Sequence, residues 1–395
     1  MKKLSIIIPT KERANTLNYT LRTIIEQQYE PLEIIVSDNN SDDHTKETVE
    51  SFNDNRIVYL NPKKRLSMSD NWEFGLSHAK GKYITFIGDD DGFIPGAIAK
   101  AMHIIQETEC KALVWNKADY YWPDHIESYL GNYISLNIEK KIITSAKSSE
   151  NVKQTIKLRQ GYTNLPCLYN SIVNKEFIDV IKSKSVNNRF FNSVSPDIFS
   201  GLALGSVIDN YLITNYPFSV NGASKKSNGT AFMLSDPLKN EITKSFFKEN
   251  TITYDKRLQI TPAIQTAIIG EILLLQKYIP DIQLPKINWN RYIKKLIQTA
   301  YSSNNPDLIL QSARHTANKI KIKYAIPANI APTKRPIIHE PGVHGERIKF
   351  IIPSDMVRNI YDACLLVKSM TQNEVTFELK SPVSFFFKKN KLVSF

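Results

Sequence analysis

Between residues 4 and 116 short β-rich runs alternate with helical patterns, and this alternation constrains the fold more than any other feature of the 395-residue chain. The runs are LSIII, LEIIVSD, RIVYL, KYITFIG and KALVWN, separated by helical stretches near 16–28, 44–52, 70–79 and 95–108. Strand, helix and strand repeated in this way bury their apolar surfaces as βαβ units on a mostly parallel sheet. In the last stretch Ile98, Ala101, Met102 and Ile105 fall at i, i+3, i+4 and i+7, so one helix face is buried, and Pro95 suits the first turn. The expected fold class is α/β, a Rossmann-like mixed, mostly parallel sheet flanked by helices, with a helical C-terminal region.

That region follows from the later pattern. Residues 117–220 are mixed and are expected to extend the sheet, and VNGASKKSNGT within 221–250 reads as a flexible loop. Beyond a boundary near 245, helical periodicity returns at 257–279, 289–301 and 306–320, followed by a proline-punctuated stretch and a small terminal unit after 345. The window ITPAIQTAIIGEILLLQKYI is broken by Gln265, Glu271 and Gln276, short of the roughly 18 to 20 apolar residues a membrane span needs, and reads as a buried helix. The N-terminus meets Pro9 and charged residues too early for a signal peptide and reads as a first buried strand. Three scattered cysteines argue against a disulfide framework and fit a reducing compartment.

Charge is unevenly spread. The formal net charge is +12, and residues 286–395 hold 18 Lys+Arg against 7 Asp+Glu. Such asymmetry points to an anionic membrane surface or nucleic acid, or to a solvated basic surface that aids solubility. Within it WNRYIKKLIQTAY places Ile293, Leu296, Ile297 and Ala300 on one face and Arg291, Lys294 and Lys295 elsewhere. Such a helix lies on an anionic membrane or packs its apolar face on the rest of the protein. The ending SPVSFFFKKNKLVSF, aromatic and basic, favours the membrane.

The chemistry concentrates at strand ends. Asp38 closes LEIIVSD, and Asp89, Asp90 and Asp91 close KYITFIG, so both acidic sites should open on the crevice beyond the carboxyl ends of the strands. Three adjacent carboxylates repel and call for a cation, a hydrogen-bonded turn or a solvated surface. No P-loop and no ordered G-x-G-x-x-G follows the first strand. DNNSDD begins like a calcium loop but reaches Val49 at the twelfth position, and the seven histidines lack zinc spacing. An aspartyl-phosphate enzyme would carry its carboxylates on the first strand rather than after the fourth.

The segments LSIIIPTKERANTL, EIIVSDNNSDDHT, SMSDNWEFGLSHAKGKYITFIGDDDGFIPGAI and SPDIFSGLAL, in this order and spacing, resemble the inverting family 2 glycosyltransferases of GT-A fold over about residues 3–220. The resemblance implies a GT-A catalytic domain over 1–245, with a nucleotide-binding half of about 1–116 and an acceptor half of about 117–245, ahead of a basic, largely helical 246–395. It implies transfer of a sugar from a nucleotide sugar, UDP-linked, to a saccharide or lipid-linked saccharide in bacterial surface polysaccharide synthesis. Nucleotide-sugar contacts are then expected from Pro9, Thr10, Arg13, Asp38, Arg65, Asn71 and Asp89. The divalent metal, Mg or Mn, would be held by Asp90 with Asp91 supporting, and Asp197 would be the general base. The chain departs from the family at Lys11 and Glu12, where an aromatic and Asn are usual, and at Gly88, where the acidic motif usually starts with Asp.

Other readings stay open at this level. Arg65 suits a diphosphate as well as a solvated loop, and Asp197 suits a helix first turn as well as a base. Trp72 reads first as core packing, whereas Tyr120, Tyr121 and Trp122 suit either a sugar platform or a buried cluster. A phosphoryl or nucleotidyl transferase, or a non-catalytic basic scaffold, would use the same acidic site. The expected setting is cytoplasmic, peripheral on the inner membrane face. A homo-oligomer is compatible with the sequence, and nucleic acid is the less favoured partner.

Overall fold

The computed structural model describes residues 3–139, 141–229, 241–330, 341–371 and 378–380. The first half follows the alternation: β1 (Leu4–Thr10), α1 (Ala14–Ile25), β2 (Leu32–Asp38), α2 (Thr45–Glu50), β3 (Ile57–Leu60), α3 (Met68–Ser77) and β4 (Tyr83–Phe86). After the acidic turn come β5 (Gly92–Phe93), α4 (Ala97–Thr108), β6 (Ala112–Trp115), β7 (Ala118–Tyr121), β8 (Tyr133–Asn137), β9 (Ile142–Lys147) and α5 (Ser148–Ile156). Then follow β10 (Ser171–Asn174), α6 (Lys175–Lys184), α7 (Pro196–Gly205), β11 (Asn210–Thr214), β12 (Ser219–Ala223) and α8 (Glu241–Glu249). The rest comprises α9 (Ile264–Tyr278), α10 (Trp289–Ala300), α11 (Pro306–Lys319), β13 (Gly342–His344), β14 (Arg347–Ile351), α12 (Ile360–Met370) and β15 (Glu378–Lys380).

Among the described residues one sheet runs β15-β9-β11-β6-β10-β4-β1-β2-β3, a mixed α/β arrangement, mostly parallel, with β1 parallel to both β2 and β4. The chain leaves β1 toward β2 and β3, then crosses back to place β4 on β1's other side. That reversal opens a crevice beyond the carboxyl ends of β1 and β4. Ile7 faces one core and Ile6 and Ile8 the other, the period-two alternation of a strand buried on both sides. A second sheet, β13-β14-β8-β7-β12-β5, was not expected from the sequence.

The C-terminal elements fold back onto this frame. Ile268, Ile269 and Ile272 of α9 and Ile293 and Leu296 of α10 share a core with Ile7, Trp72 and Phe86. On the opposite side α12 packs against α1 and β5, and β14 pairs with β8. Tyr292, Ile293, Leu296 and Ala300 of α10 are buried, so its apolar face is spent on packing and is not free to lie in a bilayer. Lys294 stays exposed on the outer side. The basic aromatic ending at 381–395 lies outside the described residues.

Two local expectations are corrected. Pro95 precedes the helix instead of opening it, because Gly96 takes the left-handed conformation (φ 77°) before α4 begins at Ala97. The segment read as a loop at 221–250 contributes strand at its start, through Ser219–Ala223, and helix at its end, through Glu241–Glu249. Residues 230–240 of that segment lie outside the described residues. No helix among the described residues is long and apolar enough to cross a membrane.

Candidate active site

β1 ends at Thr10 in register with Asp38 of β2, so both strands deliver their last side chains to the same edge of the sheet. Thr10 Oγ1 donates to Asp89 Oδ2 at 2.7 Å, and Arg13 Nη1 lies 2.7 Å from Asp89 Oδ1 and 3.6 Å from Asp90 Oδ2. The crevice at the strand reversal is thus bridged by a hydroxyl and a guanidinium from the loop after β1. All three aspartates are almost wholly buried. Burial pushes the Asp89 carboxyl up, and the Arg13 charge opposes it.

The three carboxylates are not equivalent. Asp90 Oδ2 takes the Ser224 hydroxyl at 2.6 Å, and the Asp90 carbonyl takes the Trp122 indole N–H at 3.0 Å. Asp91 Oδ1 accepts from the Gly222 N–H at 2.6 Å, its other oxygen from the Gly88 N–H at 3.3 Å, and the Tyr169 phenol also bonds this carboxyl. Burial pushes Asp91 up to about 6, although Lys117 pulls the other way. A side chain at Gly88 would run into the Tyr169 hydroxyl, which accounts physically for the missing first carboxylate of the motif. Lys117 lies 4.2 Å over the Tyr169 ring and donates to Asn221 Oδ1 at 2.9 Å.

Asp197 sits in the first turn of α7 after Pro196, where backbone N–H groups and the helix dipole favour a carboxylate. The Tyr162 hydroxyl donates to its Oδ2 at 2.6 Å. Burial and the neighbouring carboxylate hold that phenol well above its ordinary range, so it stays a donor at neutral pH. One short stretch therefore reaches both acidic centres, with Tyr162 on Asp197 and Tyr169 on Asp91.

Other residues singled out in the sequence have different surroundings. Asp38 accepts from the Ser41 N–H at 3.0 Å and the Tyr59 hydroxyl at 2.6 Å, an ordered carboxylate at the end of β2. Pro9 lies within β1 opposite Ser37. Arg65 pairs with Glu12 and with Asp42 at 3.1 Å and donates to the Asn39 carbonyl at 3.0 Å, tying together the loops after β1 and β2. Asn71 does not fit the expected nucleotide contact: its amide donates to the Ser37 carbonyl at 3.0 Å and accepts from the Ser37 hydroxyl at 2.9 Å, fastening α3 to β2 while buried. Trp72 stacks on Phe86 at 4.5 Å and belongs to the core. Tyr120 and Trp122 are buried as well, so neither offers a ring face to a sugar.

Sequence reasoning missed Ser224, Gly222, Tyr162, Tyr169 and Lys117. The first two stood in a stretch of Gly, Ser, Asn and Lys that carries no pattern, and their role depends on β12 pairing with β5 and β7 beside the acidic turn.

The fold and the site together define an α/β protein whose acidic crevice lies at the reversal of strand order, the usual ligand position in open sheets of this kind. Residues 5–169 match the family model described as Glycosyl transferase family 2. The Campylobacter jejuni GalNAc(5)-diNAcBac-PP-undecaprenol beta-1,3-glucosyltransferase is 40% identical over 110 residues, covering 27% of this chain and 36% of that protein. An uncharacterized glycosyltransferase of Haemophilus influenzae is 24% identical over 304 residues, covering 76% of this chain and 86% of its own length. The Escherichia coli UDP-Glc:alpha-D-GlcNAc-diphosphoundecaprenol beta-1,3-glucosyltransferase WfaP is 27% identical over 121 residues, 31% of this chain and 47% of that protein. Except for the Haemophilus protein, these matches span about a third to a half of the relatives' length.

Proposed function

We propose that this protein is a metal-dependent inverting glycosyltransferase of GT-A type that moves a sugar from a UDP-linked donor to a saccharide or lipid-linked saccharide acceptor. The observation that carries the reading is the pairing of two separate carboxylate centres by one stretch of chain, Tyr169 on Asp91 and Tyr162 on Asp197. A transfer with inversion needs two such centres, one for the leaving diphosphate and one for the incoming hydroxyl. Among the relatives named above, two act on undecaprenol-linked diphosphate saccharides, and one of these is a UDP-Glc enzyme.

The donor set suits a hard divalent ion. Among the described residues, the donors that reach Asp90 fall on Oδ2, leaving Oδ1 with coordination capacity, whereas both oxygens of Asp89 and of Asp91 already accept hydrogen bonds. One carboxylate with substrate phosphates completing the shell is how Mg²⁺ is commonly held, in preference to an all-protein cage. Asp90 would hold the ion, Asp91 would support it, and the ion would neutralise charge on the leaving diphosphate.

The chain's own residues do the rest. Thr10, Arg13, Asp38 and Asp89 line the strand ends where the nucleotide would bind, and Arg13 exchanges its carboxylate partners for diphosphate oxygens. Asp197 takes the proton from the acceptor hydroxyl as that oxygen bonds to the anomeric carbon. The bond from this carbon to the diphosphate breaks on the opposite face, and the electron pair leaves with the nucleoside diphosphate, so the anomeric configuration inverts. Tyr162 keeps the carboxylate aimed. Arg65, bound to Glu12 and Asp42, shapes the rim rather than meeting the diphosphate directly. The cationic excess of residues 286–395 would hold the protein on the inner membrane face, where a lipid-linked acceptor resides.

The test is product analysis with a labelled nucleotide sugar and a lipid-linked saccharide. Release of nucleoside diphosphate together with a new glycoside of inverted configuration is expected; release of inorganic phosphate or transfer of a nucleotidyl group would refute the reading.

A further inference from the structure

The buried residues of α9 are apolar or small apart from Thr266 and Glu271, and of these two only Glu271 is ionisable. Glu271 stands among Ala267, Ile268, Ile272 and Leu275 and is fully enclosed. Burying a carboxyl among apolar side chains is costly unless donors meet it. Here three donors converge on its Oε1: the backbone N–H of Ser195 at 2.7 Å, the backbone N–H of Val194 at 3.1 Å and the Tyr254 hydroxyl at 3.0 Å. Ser195 and Val194 are the residues that lead into α7 and Asp197. The Ser195 side chain does not cap α7 itself; its hydroxyl bonds the Tyr254 hydroxyl at 3.2 Å. Gly270 makes this possible, because any Cβ there would enter the Tyr254 ring.

We infer that Glu271 is a positioning residue for the reaction, a hydrogen-bonding clip by which the C-terminal helices fix the turn that carries Asp197. The inference rests on Asp197 being the base. A base must hold its oxygen within a few tenths of an ångström of the acceptor hydroxyl, and misplacement by about 1 Å can cost on the order of 10²-fold in rate. From the other side Tyr162 holds the carboxylate oxygen, so the backbone before Asp197 and the end of its side chain are fixed by different parts of the chain. Burial pushes Glu271 up to about 8, against the pull of its donors and with Asp197 adding to the rise. The carboxyl is therefore largely protonated at neutral pH and places little competing charge beside the base. Glutamine is then a near-isostere, able to accept the same backbone bonds.

The experiment compares Glu271→Leu, Glu271→Gln and Asp197→Asn in the full chain, with folding checked by circular dichroism and both kcat and the donor KM measured. Leucine fills the space but accepts no hydrogen bond. It should lower kcat by about tenfold or more while the donor KM changes by less than about twofold, since the lost interaction acts on the reacting geometry and not on donor binding. Glutamine should restore kcat to within about threefold of the parent. Parent-like kcat in Glu271→Leu, or equal loss in the leucine and glutamine variants, would overturn the clip. Should leucine prevent folding, Tyr254→Phe carries the same test, because it keeps the ring over Gly270 and deletes the bonds to Glu271 and Ser195. Lower kcat at unchanged KM then supports the clip, and parent-like kcat overturns it. Turnover retained in Asp197→Asn would remove the base assignment and the clip with it. An inactive Asp197→Asn beside a fully active Glu271→Leu would remove only the clip.

Discussion

The acidic turn and the start of α7 both present carboxylates, yet they are held in opposite ways. At the turn, Asp89, Asp90 and Asp91 are buried and engaged by Thr10, Arg13, Ser224, Gly222 and Tyr169, donors drawn from three separate stretches of chain. At α7, among the described residues, the Tyr162 hydroxyl alone reaches the Asp197 carboxylate, at 2.6 Å, while the heavier fastening, through Glu271, is applied to the backbone before it. The contrast fits the work proposed for each. A centre that receives a cation and a diphosphate needs its charges compensated before the ligand arrives. A base needs an accessible, ionised oxygen and gains from having its support moved to the backbone.

The largest expected effects separate the two centres by what each loses. Asp90→Ala and Asp197→Ala should each reduce transfer by about 10³-fold or more. Titration with UDP should show weakened, metal-insensitive binding in the first and parent-like binding in the second. Indistinguishable binding in both variants would erase the distinction between the centres.

Next in size is Arg13→Ala, which leaves Asp89 and Asp90 buried without their counter-charge. Breaking a buried pair from one side costs about 3 to 5 kcal/mol, so a large drop in the midpoint of urea unfolding is expected. An unchanged midpoint would show that the turn does not depend on that charge. Tyr162→Phe is milder: one hydrogen bond to a carboxylate is lost, worth about 1.5 to 3 kcal/mol, and kcat should fall about tenfold or more with donor binding unaltered. Equal activity of the phenylalanine enzyme would mean that Asp197 is aimed by its helix alone.

The remaining expectation concerns pH. Glu271 holds its proton up to about 8 in the folded protein, against an ordinary value of 4.5, so between those values the native state binds more protons than the unfolded chain. Its contribution to stability is complete below the ordinary value and is lost as pH rises through about 8. Thermal unfolding of Glu271→Gln should therefore decline less steeply from pH 5 to 8 than that of the parent. Parallel profiles would place the titration elsewhere.

Much of the fold was legible because β1 to β4 are local units, each apolar run bounded by its own turn. The acidic turn and Asp38 were legible for a related reason: they sit at the carboxyl ends of recognisable strands. Ser224 and Gly222 were not legible, since they reach Asp90 and Asp91 only after β12 has inserted beside β5 and β7. Asn71 was expected at the nucleotide only through the family resemblance, and its local sequence carries no sign that Ser37 takes both ends of its amide. For WNRYIKKLIQTAY, periodicity shows an apolar face but says nothing about what covers it.

The sequence by itself determined the α/β alternation, the position of the carboxylates at strand ends and the basic excess of the last quarter, because each depends on neighbours along the chain. Only the tertiary structure decided which carboxylate oxygen is left with capacity, which hydroxyl reaches the proposed base and that α9 grips the turn before it. Those contacts join residues from 35 to more than 130 positions apart, and hydrogen bonds of a few ångströms between such distant residues exist only once the two cores have packed.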